Sequence, residues 1–184
     1  MTNNQQVLRG RTLKGMVILL AVVSFTASAN TQGYKDIVQL INQRLGWMKD
    51  VAGYKAKNHQ PVEDLTQEDK VLTSTVKKAE ELGLDAESVR PFIQAQMDAA
   101  KAIQYRYRAD WLFTPEKNWK PQDLETVRKE ISRLSDDILD KTAETLKQGD
   151  TSDDCSFMHT VQQHNLHKAD KDAICQSLRK VKLK

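Results

Sequence analysis

Apolar residues recur along this chain in steps of three and four, the spacing of one face of a helix. In the stretch IVQLINQRLGWMKDVAGYK, Ile37, Ile41, Met48 and Val51 fall on one stripe. Two places where that stripe should carry Leu or Ile hold Arg44 and Lys55 instead. A second stripe reads Glu68, Leu72, Thr75, Ala79, Leu82, and a third reads Val89, Ile93, Met97, Ala100, Gln104. No segment sustains two-residue alternation of β-branched residues, so no strand is predicted. The pattern predicts an all-α, single-domain bundle of about six helices.

Capping and breaking residues set the expected ends. The first helix runs from about Tyr34 to Lys57 and stops before Pro61. Asp64 or Thr66 caps a second helix to about Leu82, and Gly83 ends it. Asp85 opens a third to about Leu112, broken by Pro115. Pro121 stands where a first turn tolerates proline, opening a fourth helix to about Gln148. Ser152 or Asp153 caps a fifth, and Ala169 to Lys180 makes a sixth.

The polar residues on these inward stripes raise the functional question. Arg44 and Lys55 are about three turns apart, about 16 Å at Cα, on one face. Together with Glu68 and Gln104 they could line one internal space. A buried unpaired charge costs several kcal/mol, so these groups need partners. One solution is structural: an Arg44–Glu68 ion pair, with Lys55 reaching the bundle end. The other is an anionic ligand that completes the charge balance.

The N-terminus alters the charge picture. Arg9, Arg11 and Lys14 precede the apolar run Met16–Val23 and the small-residue end Ala27-Ser28-Ala29. This is the pattern of a secretory signal peptide over residues 1–29, cleaved after Ala29. A membrane anchor is the alternative, but the run is short against the about 20 residues a span needs. The whole chain has 28 Lys+Arg and 25 Asp+Glu; the leader carries three of the cations and no acid. The rest, residues 30–184, is neutral, which argues against a nucleic-acid partner. The four residues of YRYR, Tyr105–Arg108, point to different helix faces and do not change that reading. An exported chain meets an oxidising compartment, so Cys155 and Cys175 are expected to pair. The bond would close a loop of about 20 residues and contribute about 3 kcal/mol. A metal site using His159, His164 and His167 is the rival, although the spacing matches no zinc pattern.

The run INQRLGWMKDVAGYKAKNHQPVEDLTQE resembles the first-helix signature of the all-helical chorismate mutases, and AAKAIQYRYRADW resembles their exported subclass. The leader and the late cysteine pair fit that subclass. The resemblance implies rearrangement of chorismate to prephenate, a unimolecular reaction without cofactor or metal, in a periplasmic or secreted homodimer that is free of the membrane once the leader is removed. Residues 34–112 would carry the catalytic helices, and 113–184 would brace them. By resemblance, Arg44 grips a substrate carboxylate, while Lys55 and Gln104 donate to the ether oxygen. Glu68 accepts from the ring hydroxyl, and Asp64 helps hold that end. Two positions depart from the family pattern: Gln67 stands where relatives often have Arg, and Ala100 where they often have Ser or Thr. The cation for the second carboxylate would come from the fourth helix. Direct alignment falls near Asp137, of the wrong sign, so Arg133, one turn earlier, is the candidate, with Arg128 as fallback. A non-catalytic periplasmic binding protein derived from such an enzyme is the alternative function.

Overall fold

The computed structural model describes residues 32–149 and 155–184. The expected cleavage after Ala29 and the expected caps Ser152 and Asp153 lie outside these residues. The described part is all-α: α1 Gln32–Gly46, α2 Met48–Lys57, α3 Leu65–Glu81, α4 Ala86–Phe113, α5 Leu124–Lys147, a short 3-10 helix Cys155–Thr160, and α6 Lys168–Leu178. Extended pairing among the described residues is limited to one isolated bridge, Leu84 with Leu183.

The expected first helix is interrupted at Trp47. Gly46 weakens the helix there, and Trp47 N–H turns back to Arg44 O, three residues away, at 3.4 Å. Asp64 is the N-cap of α3 and accepts from Gln67 N–H at 3.1 Å. Gly83 follows α3 with φ +87°, a conformation that costs glycine little. Asp85 caps α4 by accepting from Ser88 N–H at 2.9 Å. The fourth helix begins later than Pro121. Asp123 caps it, and Gln122 N–H is drawn away to Asp50 Oδ1 at 2.8 Å. Residues 114–123 therefore form a strap against α2. Trp119 lies over Gly53, where a Cβ would sit 2.6 Å from the indole ring. The expected fifth helix is only the 3-10 turn.

α5 packs on α1, α6 packs on α4, and α4 also takes α2 and α3 against its sides. Ile37, Ile41, Leu45, Phe92, Ile103, Ile138 and Leu139 fill the centre. Each such side chain contributes about 1.5–3 kcal/mol by leaving water. Cys155 and Cys175 are joined with Cα atoms 5.8 Å apart, tying the 3-10 turn to α6. The chain end is pinned to the α3–α4 turn by Asp85 N–H to Lys182 O at 2.9 Å and Lys184 N–H to Gly83 O at 3.0 Å. The residues of YRYR diverge as their helix positions require. Arg106 bonds Asp170 and Asn165 O, Tyr107 stacks on Trp111, and Arg108 reaches Gln60 O. No described helix is long and apolar enough to cross a membrane.

Candidate active site

A cavity of about 610 Å³ opens between α1–α2, α3, α4 and α5. Both interruptions of the first stripe line it. Arg44, in the last turn of α1, is 6% exposed, and Lys55, on α2, is 7% exposed. Gln104, at the end of the third stripe, is 5% exposed. Burial of this much polarity needs an explanation, because each group has surrendered water.

The Arg44–Glu68 ion pair is not formed. Arg44 Nε donates to Ser135 Oγ at 3.0 Å, and the Ser135 hydroxyl donates onward to Ile131 O at 2.7 Å. Arg44 Nη1 is buried with no hydrogen-bond partner. Burial lowers the guanidinium pKa to about 10, which leaves it charged at neutral pH. Glu68 is instead held from two other sides. Its Oε1 accepts from Asp64 N–H at 3.2 Å, and its Oε2 accepts from Lys101 Nζ at 2.9 Å.

Lys55 donates to Val62 O at 2.6 Å. That contact uses one of its three N–H groups. Its pKa is lowered, chiefly by burial and then by Arg128, while Asp64 and Glu68 oppose the shift. The connection from α2 to α3 that supplies Val62 is tied by Gln60 N–H to Lys55 O at 2.8 Å and by Arg108 Nη1 to Gln60 O at 3.0 Å. Gln104 Nε2 donates to Ala100 O at 3.1 Å and lies 3.7 Å from Met48 Sδ, a weak acceptor. Gln104 Oε1 is buried without a partner.

Asp64, Gln67 and Ala100 also line the cavity. Arg133 does not, which corrects the expectation for the fourth helix. The α5 wall is formed by Arg128, Ile131, Ser132, Ser135 and Asp136, at helical spacings of three and four. Arg133 is five residues beyond Arg128, about 140° round the helix. It is 55% exposed and bonds Glu130 and Asp137 on its own helix. Arg128 is the cation that α5 supplies, and it stands 4.0 Å from Asp64.

Sequence reasoning missed Lys101 and Ser135. Lys101 lies three residues before Gln104, at the edge of the same α4 face. The signal available was the need of inward-facing Glu68 for a cation. Ser135 lies two turns beyond Arg128, and nothing in its spacing singles it out. Around the cavity, Arg44, Lys55, Lys70, Lys101 and Arg128 face three carboxylates, Asp64, Glu68 and Asp136, leaving two positive charges in excess. Such a wall suits a small dianion. The histidines are elsewhere. His164 packs on Tyr107 with ring centres 5.5 Å apart, and His159 is 4.0 Å from Asp172. Among the described residues, no three His, Cys, Asp or Glu side chains converge as metal ligands.

Helices, cavity and charge together describe a pocket with an excess of cations in an all-α bundle. The chain belongs to the chorismate mutase type II family, which its residues 35–105 match. It is similar to the secreted chorismate mutase of Yersinia pestis, 47% identical over 176 residues that span 94% of this chain and 95% of that protein. It is also similar to the monofunctional chorismate mutase of Enterobacter agglomerans, 38% identical over 160 residues, 85% of this chain and 88% of that one. The crystal structure of the secreted Yersinia pestis chorismate mutase superposes with a TM-score of 0.77 at 52% identity, over 81% of this chain and 98% of that chain.

Proposed function

We propose that this chain is an exported chorismate mutase that rearranges chorismate to prephenate in the cavity between α1–α2, α3, α4 and α5. The observation that carries the reading is Arg44, a buried guanidinium with an unused donor and no carboxylate partner among the described residues. A substrate carboxylate would supply the missing charge and accept from a fork whose geometry matches it.

The reaction breaks an ether C–O bond and forms a C–C bond within one molecule. No proton moves, and no cofactor or metal is required. The protein's first task is to hold a flexible dianion in its compact conformer. Arg44 takes one carboxylate and Arg128 the other. Glu68 and Asp64 take the ring hydroxyl, with Gln67 and Ala100 shaping the wall around the ring. The second task is to stabilise the negative charge that grows on the ether oxygen as its bond breaks. Lys55 keeps two N–H groups beyond the one given to Val62 O. Gln104 has an N–H that meets only the Met48 thioether, a contact readily exchanged for a better acceptor. The nearby dianion raises the lowered pKa of Lys55 and keeps it protonated.

Export is supported by the disulfide and by similarity to a secreted relative. The reading includes removal of residues 1–29, a periplasmic or secreted location, and a homodimer with no nucleic-acid or membrane partner. The decisive experiment follows chorismate absorbance with purified protein and with Arg44→Ala. Loss of absorbance with the wild type, and its near-abolition in the variant, is expected. A folded wild type that leaves chorismate unchanged overturns the reading in favour of a non-catalytic binding protein.

A further inference from the structure

The cavity uses its cations in two different ways. Arg44 faces the cavity without a carboxylate partner. Lys101 lies between two carboxylates, with Nζ 2.9 Å from Glu68 Oε2 and 3.3 Å from Asp98 Oδ1. Its charge is therefore already matched by the protein, and it is poorly suited to grip a substrate anion. What it does is reach from α4 to α3 and fix one oxygen of Glu68. The other oxygen is fixed by Asp64 N–H at the start of α3.

A glutamate has three rotatable side-chain bonds, and one anchor would leave its carboxylate free to swing. Two anchors on opposite oxygens select a single arrangement. Each oxygen keeps further capacity to accept a hydrogen bond, because an ionised carboxylate offers about four sites. The pKa of Lys101 itself is raised, first by its hydrogen bond to Glu68, so it remains a cation.

We propose that Lys101 is a positioning residue that holds Glu68 correctly turned to accept the ring hydroxyl of the substrate, and so sets the preference of the site for a hydroxylated ring. The inference rests on the role of Glu68 proposed above. It separates Lys101 from the residues that touch the substrate: its effect passes through Glu68 and is felt only by a substrate that carries the hydroxyl.

The test compares chorismate with an analogue lacking the ring hydroxyl. Both are assayed with the wild type, Lys101→Met, Lys101→Arg, Glu68→Gln and the Lys101→Met/Glu68→Gln double variant. Lys101→Met should lower kcat/KM for chorismate about tenfold, the scale of one lost charged hydrogen bond. It should change the analogue by no more than about twofold. Lys101→Arg should restore most of the loss. The double variant should be no worse than Glu68→Gln alone. Lys101→Gln, a second neutral variant with a polar end, is measured alongside so that poor folding of one protein does not decide the outcome. An equal fall on both substrates would make Lys101 merely structural and overturn the proposal. So would an unchanged chorismate rate, or an additive loss in the double variant. A wild type inactive on chorismate would instead overturn the underlying functional reading.

Discussion

Arg44 burdens the fold. Its guanidinium is buried, its pKa is lowered to about 10 by that burial, and one nitrogen has no partner. A folded-state pKa below the unfolded value means that the charged form is disfavoured by folding at neutral pH. From about pH 10 upward the folded chain releases this proton before the unfolded chain does, so the penalty diminishes as pH rises. Arg44→Met, which keeps most of the volume without the charge, should therefore leave thermal stability unchanged or raise it while nearly abolishing turnover. Calorimetry beside a chorismate assay checks this, and a marked loss of melting temperature would instead make Arg44 a structural residue. Lys55→Ala should reduce kcat by about 100-fold or more, because a donor to the ether oxygen acts chiefly in the transition state. Gln104→Glu tests the second proposed donor by its sign. A carboxylate there repels the developing charge, whereas the protonated acid still donates. The wild type should hold its rate across neutral pH, and the variant should work mainly at low pH. Parallel pH–rate profiles would remove Gln104 from the ether oxygen.

At the scale of elements, the sequence was most legible where a helix presents one face to the core. The stripes containing Arg44, Lys55, Glu68, Ala100 and Gln104 all reach the same cavity, because helical period alone puts them on inward faces. It was least legible on α5. Direct alignment falls near Asp137, and Arg133 is the cation one turn before it, whereas the cavity takes Arg128. The cavity wall is instead set by which α5 face packs on α1, a tertiary fact. The late start of α5 was hidden for a similar reason, because it depends on the contact of Gln122 with Asp50 on α2; the break at Trp47 is local and follows Gly46. The strap makes that dependence testable. In Gly53→Ala the new methyl meets Trp119, and the strap is mostly exposed, so the strap rather than the core should yield. The expected result is red-shifted tryptophan emission with a stability loss of about 1 kcal/mol, the low end for overpacking. Unchanged emission would mean that α2 moves instead.

On the scale of the whole molecule, the disulfide and the pinned chain end hold α6 against α4, the helix that carries Gln104 and Lys101. The long helix is thereby fixed from behind while its other faces meet α2 and α3 at the cavity. The cavity takes walls from α1–α2, α3, α4 and α5 of the same chain, and both Arg44 and Arg128 are among them. If those groups suffice for the proposed chemistry, turnover is expected to be independent of self-association. Specific activity should stay constant as the enzyme is diluted through any monomer–dimer transition, and stopped-flow assays from micromolar to picomolar concentration would check it. A mixed assembly of one intact and one Arg44→Ala chain should retain half the specific activity of the intact protein. A chain that leaves its cell and enters an unlimited volume, where partners are lost by dispersal, would still carry a working catalyst.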